Sequence, residues 1–180
     1  MKNFLLLIAF LMIGLSANAQ KGVKAVGLNL NYGSEISNVG FAGKFQYGIT
    51  NAIRVEPAFT YYLKKDGVNL WDITANVHYL FNVAPKFTVY PLVGIGYAHT
   101  KASFSDDLED YMPDGWSMNY EGEEMSDDEG SSSSGNFCAN FGAGAEYKLT
   151  DKLSIGAEFK YQLIDNFNQF VIGIGATYKF

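Results

Sequence analysis

The sequence predicts an all-β fold: eight antiparallel strands in up-and-down order, closed into a transmembrane β-barrel with short turns at one end and one long loop at the other. Three observations predict it. Large apolar residues recur at every second position in eight stretches of about ten residues, the period of a strand with one apolar face. The chain opens on an export signal. It finishes on a strand-like run in which Phe170, Ile172, Ile174, Ala176, Tyr178 and Phe180 alternate with Val171, Gly173, Gly175, Thr177 and Lys179.

The export signal comes first. Lys2 precedes an apolar run from Phe4 to Leu15, and Ala17-Asn18-Ala19 supplies a small-residue cleavage site, so residues 1–19 read as a cleaved signal peptide. The run is too short to cross a bilayer as a helix, which needs roughly 20 apolar residues. No Cys follows it, which argues against a lipid-anchored start. Residues 20–180 are then expected to form a single domain, with no appendage after the last strand. The single Cys138 leaves no internal disulfide and reads as a small packed side chain.

The first strand, over residues 26–32, puts Val26, Leu28, Leu30 and Tyr32 on one face and Gly27, Asn29 and Asn31 on the other. The second opposes Val39, Phe41, Phe45 and Tyr47 to Gly40, Ala42, Lys44 and Gln46. The third sets Ile53, Val55, Phe59 and Tyr61 against Arg54, Glu56, Thr60 and Tyr62. The fourth runs over 71–81, with Trp71, Ile73, Val77 and Phe81 opposite Asp72, Thr74, Asn76 and His78, and residues 82–86 are read as its turn. The fifth, over 87–97, opposes Val89, Val93 and Ile95 to Tyr90, Leu92 and Gly94. The sixth begins at Phe137, with Cys138, Asn140, Gly142, Gly144 and Glu146 on its polar or small face. The seventh sets Ile155, Ala157, Phe159 and Tyr161 against Gly156, Glu158, Lys160 and Gln162, and the terminal run is the eighth.

Stripes of this length suit tilted strands crossing about 25 Å of hydrocarbon, and an even count lets the sheet close. Closure matters because an open edge in lipid strands backbone groups without partners. Aromatic residues at the stripe ends, among them Tyr32, Tyr47, Tyr61, Tyr97, Tyr147, Phe159 and Tyr178, read as interfacial girdles. A soluble barrel that holds a ligand would reverse the pattern, with its apolar face inward. Here the other face carries too many charges for an apolar cavity.

These features together resemble the small eight-stranded outer-membrane β-barrel (porin-like) family, which includes OmpX-like and OmpA-transmembrane-domain-like barrels. The residues that carry the resemblance are the signal peptide, the eight stripes, the pairs Gly94/Gly96, Gly142/Gly144 and Gly173/Gly175, and the ending Ala176-Thr177-Tyr178-Lys179-Phe180. It implies the outer membrane of a Gram-negative bacterium as the location and membrane lipid as the surroundings. It also implies that the C-terminal strand, through Tyr178 and Phe180, is the signal read by the barrel-assembly machinery. The turns at 48–51, 82–86 and 149–152 are expected in the periplasm, and the longer connections outside the cell. A monomer is expected.

The inward face is the first place to look for activity. Lys44, Arg54 and Lys160 nearly balance Glu56, Asp72, Glu146 and Glu158, which suggests an ion-pair network in the lumen. Buried charges are costly unless paired, and an eight-stranded interior is just wide enough for side chains to fill. The expected function is therefore a structural, adhesive or surface-interaction protein with a filled lumen, and the alternative is a narrow porin-like channel for small solutes or ions. The inward glycines read as room for Tyr62, Tyr90 and Gln162 rather than as a phosphate cradle, because no helical period follows them.

The most individual segment is residues 101–135, read as a long acidic, flexible extracellular loop. Eleven acidic residues and no Lys or Arg lie between Ala102 and Gly135, and residues 131–135 are Ser and Gly alone. Without this loop the mature chain would change from a net charge of −7 to +4. Trp116 and Tyr120 at its centre are candidate contacts for an extracellular surface partner. Nucleic acid is not expected, since an acidic surface repels phosphate. No cofactor, bound metal or enzymatic activity is expected either. The competing readings are calcium on Asp106, Asp107, Glu109 and Asp110 or on Asp127, Asp128 and Glu129, and a lipid hydrolase using His99 with Ser103 or Ser105 and Asp106.

Overall fold

The protein was analysed as a computed structural model, which describes residues 21–65, 68–103, 131–165 and 167–180. The expected signal peptide and most of the acidic segment, including Trp116, Tyr120, Ser105, Asp106 and both carboxylate clusters, lie outside the described residues.

Among the described residues nine strand segments follow in order: β1 (Lys24–Gly33), β2 (Asn38–Gly48), β3 (Ile53–Lys65), β4 (Val68–Tyr79), β5 (Phe81–Ala84), β6 (Phe87–Ser103), β7 (Ser131–Lys148), β8 (Leu153–Ile164) and β9 (Phe167–Lys179). All pairings are antiparallel, the hydrogen-bonded order is β4-β3-β2-β1-β9-β8-β7-β6-β5, and β4 also pairs with β6. That last pairing closes an eight-stranded barrel, with β5 as a short continuation of the β4 arm. The expected fold is therefore observed, with two corrections of detail.

First, the fourth strand breaks at Leu80, and residues read as a turn form β5; only Pro85 and Lys86 turn the chain. The Leu80 amide still donates to the carbonyl of Ala52 (2.7 Å), one step past the Ile53–Tyr79 pair of β3 and β4, and the pairing of β5 with β6 slips in register between Asn82 and Ala84. Second, β6 and β7 run further than the apolar stripes did. Lys101, Ala102 and Ser103 pair with Ser133, Ser132 and Ser131, so a Ser-Gly segment read as loop is strand.

The two faces sort as the alternation requires. Leu28 is 75% exposed, and Phe137, Ile95 and Ile174 also stand on the outer wall, whereas Tyr62, Asp72, His78 and Gln162 are fully buried. An apolar outside around a charged inside is the inverse of a soluble ligand-binding barrel, and it fits hydrocarbon. Aromatic groups mark one end of that wall: Trp71 packs near Phe59, Tyr97 and His99, and Phe170 near Phe159 and Tyr161.

Two of the short turns share one design. In each a Thr accepts amide hydrogen bonds from the two residues that close the turn: Thr50 Oγ1 from Ala52 and Ile53, and Thr150 Oγ1 from Lys152 and Leu153. Each is locked by a backbone bond, Ile49 to Ile53 and Leu149 to Leu153, both 2.9 Å. A hydroxyl that bonds its own backbone two and three residues on is what makes Thr a turn residue here.

Candidate functional site

The candidate site is the barrel interior, where alternate residues of every strand converge. At the short-turn end, Arg54 from β3 reaches across to Glu146 on β7 (Nη1 to Oε2, 2.8 Å), and Lys179 on β9 meets the other oxygen of that carboxylate at 3.4 Å. Arg54 also lies over the ring of Tyr90 at 4.9 Å, and Tyr90 stacks on His78 at 4.6 Å. The Arg54 Nε donates to His78 Nδ1 at 3.3 Å. A guanidinium only donates, so Nδ1 accepts and the ring proton belongs on Nε2.

One layer further in, Lys44 on β2 stands between two carboxylates, 3.0 Å from Glu158 and 3.4 Å from Glu56. Each acid has a further donor: Gln46 donates to Glu56 at 2.6 Å and the Tyr90 hydroxyl to Glu158 at 2.8 Å. Beyond them Gln162 donates to Asp72 at 3.4 Å and accepts from Gln169 at 2.8 Å, while Asn140 donates to Asn76 at 3.0 Å. Lys160 interacts electrostatically with both Asp72 and Glu158. Toward the long-loop end lies an apolar cluster of Tyr62, Leu70, Ala98, Cys138 and Ile164, with Ile36 from the β1–β2 loop packed against it. Leu80, Tyr90 and Leu92 form a second cluster lower down.

All seven lumen residues named from the sequence point inward. Lys44, Glu56 and Glu158 form one group and Arg54 with Glu146 another; Asp72 and Lys160 join no ion pair within 4 Å among the described residues. Sequence reasoning left Lys179, His78, Tyr90 and Gln46 out of the network. Each was already on an inward stripe, so the available signal was to treat every inward polar residue as a member. The glycines do make room as expected for Tyr90, since a Cβ on Gly144 would lie 2.5 Å from its ring. For Tyr62 the room comes from Gly40, outside the Gly-x-Gly pairs.

Glu56, His78 and Glu158 place one ligand atom each within 4.8 Å of the others, a grouping that suits a metal. The geometry around them does not. The Lys44 ammonium already occupies the cation position between the two carboxylates, and His78 presents a proton, not a lone pair, toward Glu56 Oε1 at 3.8 Å. Of the candidate hydrolase residues, only His99 and Ser103 are among the described ones. β6 is extended through His99 and Ser103, which puts them four strand steps apart, about 13 Å, and His99 packs near Trp71 on the outer wall (5.2 Å between rings). Tyr178 and Phe180 both stand exposed on that wall, and the Phe180 amide bonds the carbonyl of Lys24, joining the end of the chain to β1.

A family model for the outer membrane protein beta-barrel domain matches residues 5–180. The outer membrane protein PagN of Salmonella typhimurium is 33% identical over 97 residues, 54% of this chain; the match spans about a third (35%) of PagN's length. Among solved structures, Neisserial surface protein A superposes with a TM-score of 0.62 at 14% identity, over 88% of this chain and 96% of that one. Ail, the attachment invasion locus protein of Yersinia pestis, gives a TM-score of 0.54 at 18% identity, over 89% and 99%. Identities this low show a shared barrel.

Proposed function

Because the chain belongs to the outer membrane protein beta-barrel domain family, we propose that it is a non-enzymatic surface-interaction barrel: a rigid, non-conducting scaffold that holds its long acidic loop above the outer membrane. In this orientation the short turns face the periplasm, and the signal peptide is removed on export. The observation that carries the reading is the interior. Two layers of ion-paired side chains are followed by an apolar cluster across the extracellular mouth. The hollow at the opposite mouth, lined by Val23, Gln46, Arg54 and Lys179, amounts to about 10 Å³, barely the space of one water. Ions would have to cross an apolar plug as well as break buried pairs.

The partner follows from charge. Counting from the sequence, the extracellular connections hold fourteen acidic residues against Lys64, Lys65 and Lys101. A cationic partner, such as a basic protein surface, is attracted to such a loop and an anionic one is repelled. PagN and Ail lend support as outer-membrane relatives in sequence and fold, and Ail's name records attachment and invasion.

The first experiment is planar-bilayer conductance of refolded protein, after a heat-modifiable gel shift has established folding. A silent bilayer is expected. Discrete current steps would favour the second reading, a narrow channel along the Arg54, Glu56 and Asp72 ladder. Cells displaying the barrel with and without residues 104–130 are then compared for binding to a polylysine surface. Equal binding would remove the loop from the reading.

A further inference from the structure

The charges outside the lumen and the long loop are not spread evenly. The interior balances Lys44, Arg54, Lys160 and Lys179 with Glu56, Asp72, Glu146 and Glu158. The remaining extracellular charges, Lys64, Lys65 and Lys101 against Glu35, Asp66 and Asp165, also cancel. The net +4 of the loop-free chain therefore sits at the short-turn rim, as Lys21, Lys24, Lys86, Lys148 and Lys152 against Asp151 alone.

Most of that charge lies on one arc of the rim. Backbone bonds set its parts side by side: Phe180 to Lys24 (3.1 Å), Lys179 to Lys152 (2.7 Å) and Lys148 to Lys86 (2.8 Å). These are the lower ends of β1, β9, β8, β7 and β6. The other half of the rim, residues 49–53 and 79–85, contains no charged residue.

Directly above the arc, the lipid-facing wall of the same strands is hollowed. An open groove of about 780 Å³ is lined by Leu28, Ala145, Ala157, Ile174 and Ala176 among others. A second hollow of about 450 Å³ shares Leu28 and Ala176 with it and descends past Val26 and Leu153 to Tyr178. At that lower end the Lys152 Nζ lies 6.0 Å from the Tyr178 ring, bringing a cation to the mouth of the apolar track.

We propose that this face holds one anionic glycerophospholipid of the periplasmic leaflet, its phosphate on Lys24 and Lys152, whose side chains stand exposed at the foot of the wall, and an acyl chain along the groove above them. The leaflet assignment rests on the orientation given under Proposed function; the site itself does not. The pairing of an apolar track with cations at one end matches a lipid with a charged headgroup, whereas a soluble anion would have no use for the groove. Diffuse attraction of any anionic surface to the rim would have no use for it either.

The test uses the full mature chain folded in detergent micelles and examined by native mass spectrometry with phosphatidylglycerol, with phosphatidylcholine and with inorganic phosphate as competitor. Retention of phosphatidylglycerol over phosphatidylcholine is expected, undisturbed by phosphate. K24Q and K152Q should each weaken it about fivefold, the equivalent of ~1 kcal/mol per basic residue at an anionic surface, and K148Q, on the inward face of β7, should weaken it less. Ala157→Phe, which fills the groove and leaves every lysine in place, should weaken it too; Ala157→Leu serves if the larger variant fails the gel shift. Equal retention of both lipids, displacement by phosphate, or indifference to the groove variants would overturn the proposal. Orientation is read separately, from maleimide labelling of Lys86→Cys and Ser134→Cys in intact cells. Labelling at position 86 alone would refute the orientation while leaving the micelle result to judge the site.

Discussion

The pair Arg54–Glu146 gives the sharpest test of how the lumen is held together. Glu146 is the shared counter-ion of two cations, Arg54 at 2.8 Å and Lys179 at 3.4 Å. Glu146→Gln leaves Arg54, which is 4% exposed, with no partner of opposite charge within 4 Å among the described residues. Removing one member of a buried pair costs about 3–5 kcal/mol. Arg54→Met is a different loss. Glu146 keeps Lys179, which lies nearer the mouth, so the cost should be about 1–3 kcal/mol, the scale of a lost charge-assisted hydrogen bond. The double variant removes the stranded charge and should be more stable than E146Q alone. Urea unfolding in vesicles, followed by Trp71 fluorescence in a Trp116→Phe background, measures all three. With a slope of about 2 kcal/mol per molar, E146Q should lower the midpoint by about 1.5–2.5 M and R54M by less than that. If the double variant loses the sum of the two single losses, the side chains do not act as a pair and the reasoning fails.

Three further outcomes follow. Gly144→Val should destabilise by about 1–3 kcal/mol through overpacking against Tyr90, with much of the loss recovered when Tyr90→Ala is added, as read from the same unfolding curves. In a C138S background, Thr100→Cys with Ser134→Cys should form a disulfide, because the two positions are register partners beyond the apolar stripe; a gel under non-reducing conditions that shows free thiols would place the end of β7 elsewhere. Tyr62→Ala with Leu70→Ala should open the apolar cluster at the long-loop end and give current steps in a bilayer, where neutralising Arg54 alone gives none.

The faces of the strands were legible because lipid outside and side chains inside impose opposite demands on alternate residues, and the period of a strand is two. Which polar residues face the lumen was legible for the same reason, although Lys179, His78, Tyr90 and Gln46 were not read as part of its network. Their pairing was not legible. Arg54 and Glu146 are 92 residues apart and Lys44 and Glu158 are 114 apart, and which inward residue meets which depends on strand register, which alternation alone leaves open. Residues 131–134 were misread because Ser favours turns when nothing opposes it. Here 100–103 opposes it, and the ladder of β6 continues. The break at Leu80 was hidden because the residues on either side keep the alternation, while the slip in register that marks β5 off lies in its pairing with β6.

The distribution of charge follows from one constraint. In a lumen this narrow an unpaired charge is prohibitive, so the interior must come out neutral whatever the rest of the chain carries. The wall facing hydrocarbon excludes charge altogether. Net charge is therefore confined to the two rims, where it can be selected independently, and this chain uses opposite signs: acidic where the long loop emerges, basic at the short turns. The two rims are separable in experiment for that reason. Deleting residues 104–130 changes only the acidic end, and the lysine variants change only the basic end. Neither should change the unfolding free energy by more than about 0.5 kcal/mol, the range of surface substitutions. A larger shift from either would mean that rim charge is coupled to the lumen pairs, and the neutrality of the interior would then be a property of the whole chain, not of the barrel.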